Sequence, residues 1–356
     1  MTTREASSGR KRKGEHLRIN LEEDVTGKGI TTGFEQYRFV HQALPDLDFA
    51  AVDTSLTFFG RRLAAPLLIS SMTGGIPQGG RLNRTLATAA QTLRIAIGLG
   101  SQRVALEEPE VADTYRVRDL APDVPIFANF GAVQLNYGFG LQECLRVVEL
   151  VQADALILHL NPLQEALQVD GNTNFAGLIA RIAAVCRELP VPVIVKEVGW
   201  GISPDVALRL AEAGVGAIDV AGAGGTSWSE VEKHRAAGEH TRRVAEAFAG
   251  WGIPTAESLC LVRSVVPALP VIASGGIRSG LDVAKAIALG ADAAGVAGPA
   301  LRAAATSPAT LQARLAQIID QLRLAMFCIG AGTLEALRGT PHLREVRGPP
   351  ANGYGS

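Results

Sequence analysis

From Ala65 onward the chain repeats one pattern: a short unbroken apolar run, a glycine-rich or polar stop, then residues at helical spacing. The runs PLLISSM, IAIGLGS, IFANFG, ALILHLN, VPVIVKEV, AIDVAGAGG, PVIASGG and AAGVAG make about eight such units. Apolar runs without polar alternation suit parallel strands covered on both faces. Strands that alternate with helices call for an α/β architecture. Eight units predict a closed (β/α)8 TIM barrel over residues 65–310 in preference to an open doubly wound sheet. Aromatic residues are only 5% of the chain and hydrophobic residues 47%, so the core must be Ala, Val, Leu and Ile.

The flanks read differently. Residues 1–9 are small and polar and are expected to be disordered. Residues 10–64 form an arm: a basic segment, RKRKGEHLRINLEED, runs into a helix, and TGKGITTGFEQYRF reads as irregular. Residues 226–269 read as a longer insert holding a short apolar segment and one helix. Leu311, Leu315, Ile318, Ile319, Leu322 and Met326 repeat at helical spacing, so residues 311–346 are expected to pack on the barrel's outside. Residues 347–356 read as a flexible tail.

Several function classes are disfavoured. The net charge of −1 offers no global field for nucleic acid or an acidic membrane, and the basic run lacks interleaved aromatic residues. No apolar run reaches the ~18 residues of a membrane span, and no signal-peptide pattern is seen, so a cytoplasmic protein is expected. The four cysteines are far apart with no CxxC pair and read as reduced core residues.

Barrel enzymes build their sites from the loops after the strands. Two successive turns there are rich in glycine, Gly275-Gly276-Ile277-Arg278 and Ala297-Gly298-Pro299, and each leads into a helix. Backbone N–H groups and helix N-termini suit a phosphate. Lys196 lies inside the apolar run VIVKEV, where an unpaired ammonium is costly. It is either an ion-pair partner of Glu197 or Asp219, or a cation set beneath the electron-accepting ring of a flavin mononucleotide (FMN). Ser71, Met72, Thr73, Ser101, Asn129 and Thr226 surround the same mouth. In HLNPLQE, Glu165 among His159, Asn161 and Gln164 suits a Mg²⁺ ion that shares coordination with substrate phosphates, or else caps a helix. Arg12, Lys13 and His16, with Arg103, either clamp a second phosphate group or stay solvated.

These motifs carry a resemblance. RKGEH, TTGFEQYRF, SSMTGG, GSQR, HLNPLQE, VKEVGWG, DVAGAGGTSW, ASGGIRSG and AGP are similar to those of the type 2, FMN-dependent isopentenyl-diphosphate delta-isomerases, from about Arg12 to past Gly332. The resemblance implies FMN held by Ser71, Met72, Thr73, Ser101, Asn129, Lys196, Thr226, Gly275, Gly276, Ile277, Arg278, Ala297 and Gly298. It implies substrate contacts from Arg12, Lys13, His16, Ser101, Gln102, Arg103, His159, Asn161 and Gln164, with Trp228 near the prenyl tail and Glu165 on Mg²⁺. Gln164, Lys196 and His159 are the implied catalytic residues, NADPH the implied reductant, and a homotetramer or homooctamer the implied assembly. The implied reaction interconverts isopentenyl and dimethylallyl diphosphate by a 1,3-proton shift. The rival is an FMN-dependent 2-hydroxy-acid dehydrogenase or oxidase, which would need His234 or His240 as a base in the mouth. A nucleotide dehydrogenase would need a cysteine there, and a third possibility is a flavin-binding module without catalysis.

Overall fold

The computed structural model describes residues 3–346. The eight runs form β1 (Leu67–Ile69), β2 (Ala96–Gly98), β3 (Ile126–Gly131), β4 (Ala155–His159), β5 (Val193–Lys196), β6 (Ala217–Asp219), β7 (Val271–Ser274) and β8 (Ala293–Val296). Each pairs in parallel with the next and β8 pairs with β1, closing the barrel expected from the pattern. Every residue of these strands except His159 is buried, which is why the runs lack polar alternation.

Helix starts are encoded locally. Ser279 accepts from Asp282 N and Asp282 returns a bond to Ser279 N, a capping box that opens the helix Gly280–Ala288 after β7. Its buried face is Val283, Ala284, Ala286 and Ile287, while Leu281 is half exposed. Gly280 packs so closely on the C-terminal helix that a Cβ there would lie 2.2 Å from Ile318 O. That C-terminal helix, Pro308–Phe327, buries Leu311, Leu315, Ile318, Leu322 and Met326, with Ile319 at the margin.

Three expectations change. A helix, α1 (Thr3–Glu22), covers most of the segment expected to be disordered; residues 1, 2 and 347–356 lie outside the described residues. Phe34–Gln36 form a 3-10 turn and Tyr37–Phe39 a strand that pairs antiparallel with Leu343–Glu345, so the two extensions meet. The insert at 226–269 holds three helices, Trp228–Arg235, Glu239–Glu246 and Thr255–Val265. The first two are largely polar, so apolar periodicity could not reveal them.

The end of the barrel opposite the mouth is tied by two matching clasps. Asp154, just before β4, accepts from Ile126 N at 2.9 Å, Arg118 Nη2 at 2.6 Å and Arg61 Nε at 2.6 Å. Asp292, just before β8, accepts from Val271 N at 2.9 Å, Arg263 Nη2 at 2.7 Å and Arg338 Nη2 at 2.9 Å. Charged donors on a carboxylate that also takes a strand's first N–H fix strand register at the base. All four cysteines are free; burial raises the Cys144 thiol to about 12 and Cys186 to about 11. No described helix is long and apolar enough to cross a membrane.

Candidate active site

The C-terminal ends of all eight strands open into one cavity of about 630 Å³. All the residues that the resemblance assigns to cofactor, substrate or metal line it except Gln102. Gln102 is fully buried: its Oε1 accepts from Asn129 N at 2.9 Å and its Nε2 donates to Val147 O at 3.1 Å. Its side-chain amide is spent on tying β3 to the helix that carries Val147.

One side of the mouth is built for close backbone approach. Gly275 and Gly276 have φ of 101° and 73°, and a Cβ on Gly276 would lie 2.4 Å from Thr32 Cγ2 and 2.7 Å from Gly224 O. Across the next turn, Gly298 opens the helix Gly298–Thr306. The Ser70 and Ser71 hydroxyls are buried there without a hydrogen-bond partner.

Lys196 sits at the centre. Its Nζ donates to Glu197 O at 2.8 Å and lies 3.7 Å from Asp219 Oδ2, while Asp219 Oδ1 accepts from Ser274 Oγ at 2.6 Å. Asp219 is thus the buried counter-ion, and Lys196 lines the cavity as well. The Glu197 carboxylate turns away, accepting from the N–H groups of Val198, Gly199 and Trp200; burial nevertheless pushes it up to about 7. His159 Nδ1 lies 2.8 Å from Asn129 Oδ1, an acceptor, so Nδ1 carries the proton. Burial, with Lys196 and Lys13 nearby, lowers His159 to about 3, leaving a neutral ring with a free lone pair on Nε2.

On the far side, Asn161 Nδ2 donates to Gln164 Oε1 and to Glu165 Oε1, both at 3.0 Å. Glu165 Oε2 accepts from Asn172 N at 2.6 Å, so this carboxylate does not cap its own helix, α2 (Pro162–Leu167). Asn161 Oδ1 is buried and unpartnered.

Helix α1 crosses over this side. Arg12, Lys13 and His16 share one face and turn inward because Ile19 and Val25 pack with Val231 and Trp228 of α3 (Trp228–Arg235) in a small separate core. Arg12 Nη1 donates to Gln168 Oε1 at 3.0 Å, and Lys13 Nζ to Ser101 O at 2.9 Å. His16 Nε2 bonds Glu232 Oε1 at 2.9 Å, and its ring meets Trp228 edge-on at 5.0 Å. Arg103 is held by Glu107 at 2.7 Å and Asn172 Oδ1 at 3.0 Å.

Glu232 was missed from sequence. Its Oε1 also takes Gln168 Nε2 at 3.1 Å and Gln164 Nε2 at 3.4 Å, and Arg235 pairs with Oε2. Burial opposes its charge, yet His16 and Arg235 hold it below the usual carboxylate range, while burial keeps His16 low. The Arg235 pair suffices for the carboxylate, so a neutral His16 donating from Nε2 satisfies both. The one available signal was its place four residues after Trp228, on the same helix face. His234 and His240 are exposed and outside the cavity, and no cysteine lines it.

Residues 158–345 match the FMN-dependent dehydrogenase family. Over 346 residues the chain is 53% identical to the isopentenyl-diphosphate delta-isomerase of Nostoc sp., covering 97% of this chain and 99% of that one. The chain belongs to the isopentenyl-diphosphate delta-isomerase family. The enzyme of that name from Synechococcus sp. is 55% identical over 338 residues, covering 95% of this chain and 97% of its own. Among solved structures, a mandelate oxidase variant superposes with a TM-score of 0.63 at 21% identity, covering 95% of this chain and 98% of that chain. A lactate oxidase of Pediococcus acidilactici does so at 0.66 and 17%, covering 96% and 95%. These two show the shared barrel alone.

For this member of the isomerase family, FMN fits the observed mouth. Glycine turns at β7 and the Gly298 helix start suit its phosphate, unpartnered Ser71 offers a hydroxyl, and Lys196 lies where a ring would cross the centre. The described residues hold no group of three or more His, Cys, Asp or Glu suited to a metal. Glu165 with the free Asn161 Oδ1 therefore fits only a hard cation that takes its remaining oxygens from substrate and water.

Proposed function

We propose that this protein interconverts isopentenyl and dimethylallyl diphosphate by a 1,3-allylic proton shift, using reduced FMN and Mg²⁺, in isoprenoid biosynthesis. The observation that carries the reading is one cavity with two sides suited to phosphates: the glycine turns around Gly276 and Gly298, and the facing cations Arg12, Lys13 and Arg103 with Glu165 beside them to take a metal ion. The rival 2-hydroxy-acid reading is disfavoured because His234 and His240, the bases it would need, lie outside the cavity.

The reaction protonates an unactivated alkene at one carbon and removes a proton from another through a tertiary cation-like state. Reduced FMN, when bound, supplies an electron-rich ring that stabilises positive charge and can carry a proton; NADPH is the proposed reductant. Ser71, Met72, Thr73, Ser101, Asn129, Thr226, Gly275 to Arg278, Ala297 and Gly298 would hold it, with Lys196 countering negative charge on the ring. Arg12, Lys13, His16 and Arg103 would bind the diphosphate and Glu165 the Mg²⁺, so binding energy far from the reacting carbons orients the alkene. Neutral His159 offers its Nε2 lone pair as an acceptor without competing as a cation. Gln164 is no acid, but it is held between Asn161 and Glu232, so a carboxylate stands behind it to take or return a proton. Trp228 walls the prenyl end. Assembly as a homotetramer or homooctamer in the cytoplasm belongs to the same proposal.

The test is a proton NMR time course in deuterated buffer with FMN, Mg²⁺, isopentenyl diphosphate and NADPH or dithionite under anaerobic conditions. Deuterated dimethylallyl diphosphate should appear only when the flavin is reduced. Flavin bleaching by lactate or mandelate, with no product from the diphosphate, would favour the oxidase reading instead.

A further inference from the structure

The segment that follows α2, Gln168–Asn174, turns back over that helix. Gly171 presses on it so closely that a Cβ would lie 1.8 Å from Glu165 O, and no residue but glycine fits without moving the turn. This contact sets Asn172 behind the cavity wall, with three partners among the residues that line it. Its backbone N–H donates to Glu165 Oε2 at 2.6 Å. Its side-chain Oδ1 accepts from Arg103 Nη1 and from Gln134 Nε2, each at 3.0 Å. Gln134 is buried, and Arg103 is anchored from its other side by Glu107, not by Glu165.

Two opposite charges thus face one neutral residue, which donates to the carboxylate through its backbone and accepts from the guanidinium through its side chain. We infer that Asn172 is a positioning residue that holds Glu165 and Arg103 aimed into the cavity without letting them neutralise each other. Glu165 stays free for the metal and Arg103 for the diphosphate. The inference rests on the proposed reading of this side as the Mg²⁺ and diphosphate site.

Binding of inorganic pyrophosphate to the FMN-loaded protein, with and without Mg²⁺, tests it by calorimetry. Asn172→Ala should weaken Mg²⁺-dependent binding by about tenfold, the usual scale for losing hydrogen bonds to a charged group. It should raise KM for the substrate more than it lowers kcat, with flavin absorbance unchanged. Asn172→Asp keeps both acceptor bonds but sets a carboxylate on Arg103 and beside Glu165, so it should weaken binding at least as much as Asn172→Ala does. Gly171→Ala, which displaces the turn, should weaken binding as Asn172→Ala does. Unchanged binding in Asn172→Ala or Gly171→Ala overturns the inference, as does loss of FMN in Asn172→Ala or undiminished binding in Asn172→Asp. Absence of Mg²⁺-dependent pyrophosphate binding in the unaltered protein overturns the parent reading itself.

Discussion

Burial, with Arg12 beside it, pulls the Lys13 ammonium from 10.5 down to about 7. A lowered folded-state value means that folding disfavours the protonated form: the penalty is absent above the unfolded value, grows as pH falls, and is complete below about 7. A bound diphosphate reverses that preference, so binding must take up a proton above about pH 7. KM for isopentenyl diphosphate is therefore expected to be flat below that pH and to rise by up to about tenfold per unit above it. Lys13→Arg, charged throughout, should flatten the profile. A steady-state series from about pH 6 to 9 decides, and an unaltered enzyme indifferent to pH would remove Lys13 from the diphosphate. Glu165→Gln keeps the shape and one of the two accepted hydrogen bonds but loses the charge a hard cation needs. It is expected to lose about a hundredfold or more in kcat/KM while remaining yellow, since metal ligation is worth several kcal/mol. Colourless protein would put Glu165 on the flavin side.

At the level of elements, α1 is joined to α3 by a small core of its own. Ile19 is 1% exposed and packs with Val25, Val231 and Trp228 in a cluster separate from the main core. Ile19→Ala removes roughly 2–4 kcal/mol of local packing. Because that cluster ties only α1 to α3, the loss should fall on the arm: KM should rise by about tenfold or more, with FMN loading and barrel unfolding little changed. Hydrogen exchange across residues 10–20 should speed up in the same variant; a fall in FMN loading instead would tie the arm to the cofactor. The arm's charges were readable in RKGEH, but that they face inward was not. Helical spacing groups Arg12, Lys13 and His16, whereas their direction depends on Val231, some two hundred residues away. Polar α3 was likewise invisible to apolar periodicity, and with it Glu232.

Across the whole molecule the two ends of the barrel divide the work: polar residues at the mouth carry the chemistry, and the clasps at the base carry stability. Asp292→Ala removes the acceptor for Val271 N, Arg263 and Arg338, a partly exposed group worth about 1–3 kcal/mol. The thermal midpoint should fall by several degrees while KM and flavin binding stay as they were, and a shift in KM would mean the ends are coupled. The order of strands, the glycine turns and the list of strand-end polar residues follow from the sequence by itself, because continuous apolar runs and glycine stops are local consequences of burial and backbone freedom. Tertiary structure alone decided which polar groups face the cavity. Gln102 and Ser101 are neighbours in one motif, yet the first spends its amide on Asn129 and Val147 while the second lines the mouth. His16 meets Glu232 across 216 residues and Arg103 meets Asn172 across 69. Partners so distant in the chain are selected by packing of α1, α3 and the turn after α2, which no local spacing records.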